Sequence, residues 1–353
     1  MRQKIEVSIV GIVGLPACYG GFETLVENIV LGNNERLDIT VYCSAKHYSS
    51  KLDKYNGVKL VYLPIDANGG QSILYDIVSL IHVLIKRPNT VLILGVSGCL
   101  FLPFFRFFSS VRVITNIDGM EWKRAKWGYW TKKFLKFSEK MAVKYSDVVI
   151  SDNQAIADYL KSEYDLTSSV IAYGGDHAVK GSIRFVDENY AFALCRIEPE
   201  NNVEMILEAF SQTNKILKFV GNWNASDYGR NLKKVYGNSN NLELIDPIYD
   251  LHTLFELRRK CSFYVHGHSA GGTNPSLVEM MHIGKNMMLY DCVYNRATTN
   301  NEGVFFNCVE DIVENIPKMD NAGNGLKLKE IAELQYTWEV IREQYYEFFV
   351  SAR

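Results

Sequence analysis

Short apolar runs of strand length alternate with amphipathic helical patterns from one end of this 353-residue chain to the other. Parallel sheets clothed in helices produce that alternation, because a strand buried on both faces reads as a continuous apolar run and each crossover needs a helix. The first repeat of the pattern is the clearest. Ile5 to Val10 predicts a strand and 11–21 a loop, after which Phe22, Leu25, Val26 and Ile29 fall on one helical face. Further strands are predicted at 38–43, 58–63, 91–94, 111–116 and 148–151. After 170–173 the chain turns polar and loses periodicity as far as Asp187. The pattern then restarts, with strands predicted at 190–196, 216–220, 242–245, 263–265, 287–290 and 304–306. The length itself exceeds the roughly 250–300 residues at which one hydrophobic core stops growing, so two domains are expected, 1–177 and 178–337. The fold class is α/β, with two Rossmann-like halves.

The balance of residues excludes several alternatives. With 47% apolar residues and a formal net charge of -2, the chain is neither a disordered polymer nor a bulk nucleic-acid binder. Seven scattered cysteines with no Cys-x-x-Cys pair predict reduced thiols in a cytosolic protein. The N-terminal residues have the alternation of a first strand and lack the apolar core of a signal peptide. The longest apolar run, 91–105, is interrupted by Gly95, Gly98 and Pro103, too broken for a membrane span.

Most of the chemical information sits between His268 and Glu279, His-Ser-Ala-Gly-Gly-Thr-Asn-Pro-Ser-Leu-Val-Glu. A small-residue loop entering a helix lets backbone approach a phosphate, and the first helical N–H groups and the dipole favour an anion there. Glu279 is either a carboxylate that accepts ribose hydroxyls or a solvated glutamate on a helix. The turn Gly-Ile-Val-Gly-Leu-Pro-Ala-Cys-Tyr-Gly-Gly at 11–21 has neither dinucleotide-site nor P-loop spacing. It is a backbone cradle at the carboxyl end of a strand or simply a tight connection. Asp118-Gly-Met-Glu-Trp122 follows another strand and either orients hydroxyl groups or is a turn with a packed tryptophan. Arg196, just past the first strand of the second half, is the cation expected to meet a phosphate, or a surface arginine in an ion pair. His266 and His268 flank Gly267 without a third ligand, and no Asp-x-Asp occurs, so no metal or other cofactor is expected. Between Lys123 and Phe137 lie six basic residues and no acidic one, interleaved with aromatics. That stretch is core with a lysine face, an interfacial helix on an anionic membrane, or, more weakly and without a recognised binding fold, a nucleic-acid surface.

Three segments, Gly-Leu-Pro-Ala-Cys-Tyr-Gly-Gly-Phe-Glu-Thr, Asn-Ile-Asp-Gly-Met-Glu-Trp-Lys-Arg-Ala-Lys-Trp and Gly-Gly-Thr-Asn-Pro-Ser-Leu-Val-Glu, resemble retaining family 4 glycosyltransferases of GT-B fold. They are most similar to the bacterial rhamnosyltransferase-like branch that makes cell-surface polysaccharide. The resemblance implies two Rossmann-like domains facing across a cleft, with a C-terminal helix, 338–353, crossing back to the first. A nucleotide sugar would be held mainly by the second domain. Glu279 would bind ribose, Arg196 would neutralise the diphosphate, and Gly272, Thr273, Asn274, Pro275 and Ser276 would line sugar and diphosphate. Gly20 and Gly21 would close over phosphate and acceptor, and Asp118 would lie near the sugar. Gly271 and Asn201 depart from the family pattern, standing where a glutamate and a lysine are usual. The implied reaction moves a deoxyhexose, rhamnose from dTDP-rhamnose, onto a lipid-linked saccharide for O-antigen or capsule. UDP-glucose or GDP-mannose as donor, or a non-catalytic sugar-binding subunit, are the alternatives. The implied place is the inner face of the bacterial plasma membrane, with no nucleic-acid partner.

Overall fold

The computed structural model describes residues 4–18, 20–32, 35–123, 128–183 and 186–351. The chain forms two compact units, Met1–Ala172 together with Trp338–Arg353, and Tyr173–Thr337.

In the first unit β1 (Ile5–Val10), α1 (Gly21–Leu31), β2 (Leu37–Ser44), β3 (Lys54–Tyr55) and β4 (Val58–Leu63) form one half. The other half is α2 (Ser72–Lys86), β5 (Thr90–Leu94), α3 (Leu102–Phe108), β6 (Arg112–Ile117), α4 (Tyr129–Tyr145), β7 (Val148–Ser151), α5 (Gln154–Tyr164) and β8 (Ser169–Val170). Among the described residues these strands make an eight-stranded sheet in the order β3-β4-β2-β1-β5-β6-β7-β8. All its pairings are parallel except the short edge pair β3–β4. Parallel pairing explains the apolar strands: Val7, Ile9 and Val10 of β1 and Val91, Leu92 and Ile93 of β5 are all buried.

The second unit contains β9 (Tyr190–Leu194), α6 (Val203–Ser211), β10 (Ile216–Val220), α7 (Asp227–Tyr236), β11 (Leu242–Ile245) and α8 (Leu251–Lys260). It continues through β12 (Phe263–His266), α9 (Pro275–Met281), β13 (Asn286–Tyr290), α10 (Val293–Thr298), β14 (Val304–Phe306), α11 (Val309–Asn315) and α12 (Asn324–Gln335). The strands form a parallel six-stranded sheet in the order β11-β10-β9-β12-β13-β14. Alternation along β12 divides its side chains between the two faces. Phe263 and Val265 enter a core with Ile206, Leu207 and Phe210 of α6 and Ile312 of α11. Tyr264 and His266 lie on the opposite face, among polar groups of α8 and α9.

The last helix, α13 (Trp338–Val350), belongs to the first unit. It packs on α1, and its Tyr345 hydroxyl meets Asn116 Nδ2 at 2.5 Å.

Candidate functional site

In an open parallel sheet, ligands bind beyond the carboxyl ends of the strands. At that edge of the second sheet the loops after β9 and β12 are laced together. Ser269 donates from its backbone N and its hydroxyl to Glu200 O at 3.0 and 2.7 Å. Asn202 Nδ2 donates to Gly267 O at 2.8 Å. Asn201, 3% exposed, gives its Nδ2 to Arg196 O at 2.6 Å and pairs its Oδ1 with His268 Nδ1 at 2.7 Å. Where the resemblance sets a lysine, the chain therefore has a buried amide that fixes two loops to each other.

Arg196 stands beside this junction with its own side chain 65% exposed and a long 4.0 Å contact to Glu198. So exposed and loosely held a guanidinium has little folded-state role and is available to a ligand.

The loop 267–274 leads into α9. Asn274 caps the helix, its Oδ1 accepting from Ser276 N at 3.0 Å and from Ser276 Oγ at 2.7 Å. Leu277 and Val278 N–H donate to Asn274 O, and Pro275 has no N–H. The first-turn donors that the sequence offered to an anion are thus used within the turn. Gly271 holds φ +118°, and a Cβ there would stand 3.1 Å from His268 Nε2. The backbone needs glycine at this point, and the imidazole edge lies close beside the place a Cβ would take.

Glu279 differs most from its expected setting. It is no solvated glutamate: its side chain is 15% exposed, paired through Oε2 with Arg258 NH2 and through Oε1 with His177 Nε2 at 3.3 Å. Burial alone would raise its pKa, but Arg258 and His177 hold the carboxyl below the usual glutamate value. Arg258, at the end of α8, is 2% exposed. His177 arrives because Gly175 lies flat on α9, where a Cβ would come within 2.7 Å of the Val278 and Glu279 backbone. Tyr264 extends the group, its hydroxyl next to Ser276 and within the field of Arg258 and Glu279. The sequence alone does not single out His177 or Arg258 as partners of Glu279. Arg258 opens the basic run Arg258-Arg259-Lys260 that closes α8, and its helical spacing from Leu254 and Phe255 places it on the buried face, though nothing in the sequence pairs it with Glu279.

The two histidines after β12 lie side by side, with ring centroids 6.0 Å apart. Burial, then His268, holds His266 well below the ordinary histidine pKa, so it is neutral. Its Nε2 is buried, with no hydrogen-bond partner among the described residues. Among the described residues no set of three or more His, Cys, Asp or Glu is placed to hold a metal.

In the first unit the glycine turn is sewn to α1. Glu23, 4% exposed, accepts from Val13 N at 2.7 Å and Gly20 N at 2.9 Å, while Glu27 accepts from Ala17 N at 3.3 Å. Gly20 is half-buried and Gly21 exposed. The turn is thus a shaped connection whose Gly20 N–H is already engaged. Asp118 follows β6 and is half-buried. Trp122 is anchored, its Nε1 donating to Glu139 Oε2 at 3.2 Å. Glu139, 1% exposed, also takes Tyr159 and Tyr164 hydroxyls and the Lys136 ammonium, which sits 4.7–4.8 Å from the Trp122, Tyr159 and Tyr164 ring centroids.

Of the basic aromatic stretch 123–137, residues 124–127 lie outside the described residues. In α4 Trp130 is 79% and Phe137 55% exposed, whereas Met141 is 9% exposed. The core reading holds for Met141 and fails for Trp130 and Phe137. Among the described residues no helix is long and apolar enough to cross a membrane.

Residues 4–176 match the model of a family described as a domain of unknown function, DUF1972. No curated protein matches the chain. Solved structures of similar fold include a sucrose-phosphate synthase from Thermosynechococcus elongatus, at 12% identity over 98% of each chain and TM-score 0.80. A glycosyltransferase from Rickettsia africae aligns at 12% identity over 99% of this chain and 98% of that one, TM-score 0.73. HepE from Anabaena, solved with UDP and glucose, aligns at 14% identity over 99% and 100%, TM-score 0.73. At such identities the likeness is one of fold, and the fold is GT-B.

Proposed function

We propose that this protein is a retaining glycosyltransferase that takes its sugar from a nucleotide diphosphate donor held by the second unit. The observation that carries the reading is the carboxyl edge of the second sheet. There an exposed cation, Arg196, a glycine loop and an ionised, buried Glu279 come from separate loops and helices of one Rossmann-like unit. HepE, of the same fold, was solved with UDP and with UDP-glucose, which supports a nucleotide-sugar ligand here. Arg196 would neutralise the departing diphosphate, Gly272 to Ser276 would line sugar and phosphate, and Glu279, oriented by Arg258 and His177, would accept ribose hydroxyls. Gly20, Gly21 and Asp118 are assigned to the acceptor side. No protein nucleophile is invoked: positioning and charge stabilisation carry the reaction.

The donor we favour is dTDP-rhamnose and the acceptor a lipid-linked saccharide of surface polysaccharide synthesis. UDP-glucose is the second reading, favoured by the HepE complex. We place the reaction at the inner face of the bacterial plasma membrane, because the solvent side of α4 presents Trp130, Lys133, Phe137, Lys140 and Lys144 at helical spacing. That pattern suits an interfacial helix. Nucleotide release is the test, measured across a panel of dTDP-, UDP- and GDP-sugars with membrane extract. Release from one donor, dependent on extract, is expected. Tight donor binding without release would instead make the chain a sugar-binding subunit.

A further inference from the structure

We propose that the outer face of α2 and α3 inserts into the acyl region of an anionic lipid bilayer, with α4 forming the basic margin of that face. The inference extends the membrane placement given above, which rests on α4 alone, and its test needs neither donor nor acceptor.

Topology sets the three helices side by side. α2, α3 and α4 join β4 to β5, β5 to β6 and β6 to β7, all steps in one direction across a parallel sheet, and right-handed crossovers place all three on the same face. α3 packs against both α2 and α4. The polarity of α2 is the reverse of what a surface helix needs. Asp76 and Ser79 are buried, at 5% and 0% exposure, while Leu74, Ile81 and Ile85 face outward, Ile85 at 72%. On α3 Phe104, Phe107 and Phe108 are exposed, Phe107 at 82%. Large apolar side chains scattered singly over a surface need no explanation, but six on two touching helices gather into a patch that asks for a partner. Between the two helices runs an open groove of about 610 Å³, lined by Leu84, Ile85, Arg87, Phe104 and Phe108.

Charge identifies the occupant. The carboxylates carried by these three helices, Asp76 and Glu139, are both buried. The exposed charged residues on them, with Arg87 directly after α2, are all basic: Lys86, Arg87, Lys133, Lys140 and Lys144. Asp147, past the end of α4, is taken by Arg106 at 2.6 Å. A second copy docked face to face would set these cations against one another, which disfavours a symmetric dimer. An anionic leaflet meets both features, taking the apolar side chains below its head groups and the ammonium and guanidinium groups at its phosphates. The lysines draw the face to the leaflet, and the apolar side chains hold it there. Arg87 puts a cation on the wall of an otherwise apolar groove, a combination that suits a lipid phosphate with its acyl chain.

Flotation of wild type and of an Ile85→Gln, Phe107→Gln variant tests this, with vesicles of phosphatidylcholine alone and of phosphatidylcholine mixed with phosphatidylglycerol. Wild type should float with the anionic vesicles and keep most of that binding in about 0.5 M salt, where exposed charges are screened. The variant should bind at least about tenfold more weakly, because two large side chains no longer leave water. Its thermal midpoint should match wild type, since both positions face solvent. A variant that floats as wild type does, or wild-type binding abolished by salt, would mean that charge alone holds the protein; the inference then falls and the α4 placement stands. Wild-type dimers that form without lipid and are lost in the variant, measured by sedimentation, would assign the face to a second copy and overturn it equally. Wild type that floats with neither vesicle would overturn the inference and the α4 placement together. No outcome touches nucleotide binding, so the glycosyltransferase reading is tested separately.

Discussion

Arg196 and Arg258 carry the same charge in opposite settings, and substitution should separate them. Arg196, 65% exposed and 4.0 Å from Glu198, contributes almost nothing to folding. Arg196→Ala should leave the thermal midpoint within about a degree while lowering donor turnover roughly 100- to 1000-fold, by analogy with other lost charge-stabilising groups. Near-normal turnover would remove Arg196 from the mechanism. Arg258 is 2% exposed and locked to Glu279, so Arg258→Met strands a buried carboxylate and should cost about 3–5 kcal/mol in urea unfolding at pH 7. The pH dependence has a definite sign. Glu279 has its folded pKa lowered from 4.5, so its pairing stabilises fully above that value and is lost as pH falls through the folded pKa. The gap between wild type and Arg258→Met should therefore narrow on acidification, and a gap independent of pH would contradict the ion-pair account. The sequence shows Glu279 because it follows a glycine loop. It hides Arg258 and His177, since only tertiary packing brings residues so distant along the chain to one carboxylate.

At the scale of elements, α4 is where exposure settles what periodicity left open. Trp130, Phe134, Phe137 and Met141 share helical spacing, yet the structure turns Met141 inward and leaves Trp130 and Phe137 in solvent beside Lys133, Lys140 and Lys144. Lys136 is excluded from that surface because Glu139 and three aromatic rings enclose it. Each lysine near an anionic leaflet contributes about 1 kcal/mol and charge reversal adds repulsion to the lost attraction, so a Lys133→Glu, Lys140→Glu, Lys144→Glu variant should bind anionic vesicles more weakly by at least roughly 100-fold in flotation. Equal flotation of both proteins, or no difference between anionic and neutral vesicles, would sink the membrane assignment. Strands were the most legible elements. Ile5–Val10, Val58–Leu63, Val148–Ser151, Ile216–Val220, Leu242–Ile245 and Val304–Phe306 have the bounds expected from their short apolar runs, even at the sheet edges where β11 and β14 are only partly covered. The two-residue β3 left no such mark: half-exposed and at a sheet edge, it is held by antiparallel pairing with β4 alone.

For the molecule as a whole, the repeated alternation was enough to announce two parallel sheets, but no periodicity assigns α13 to the first of them. Its contacts do. Tyr345 is fully buried against Asn116, Tyr346 donates to Ile29 O at 2.6 Å, and Arg112 NH1 donates to Phe348 O at 2.7 Å. Removing residues 338–353 should abolish cooperative unfolding of the first unit while the second, contiguous in 173–337, keeps its own transition in calorimetry. A truncated chain that retains both transitions would show α13 to be dispensable. The same connectivity bears on the order of assembly during synthesis. The ribosome delivers every residue of the second unit before the helix that finishes the first, so the first unit is completed after the second, and a nascent chain must shelter an open apolar surface on α1 and β1 until α13 emerges.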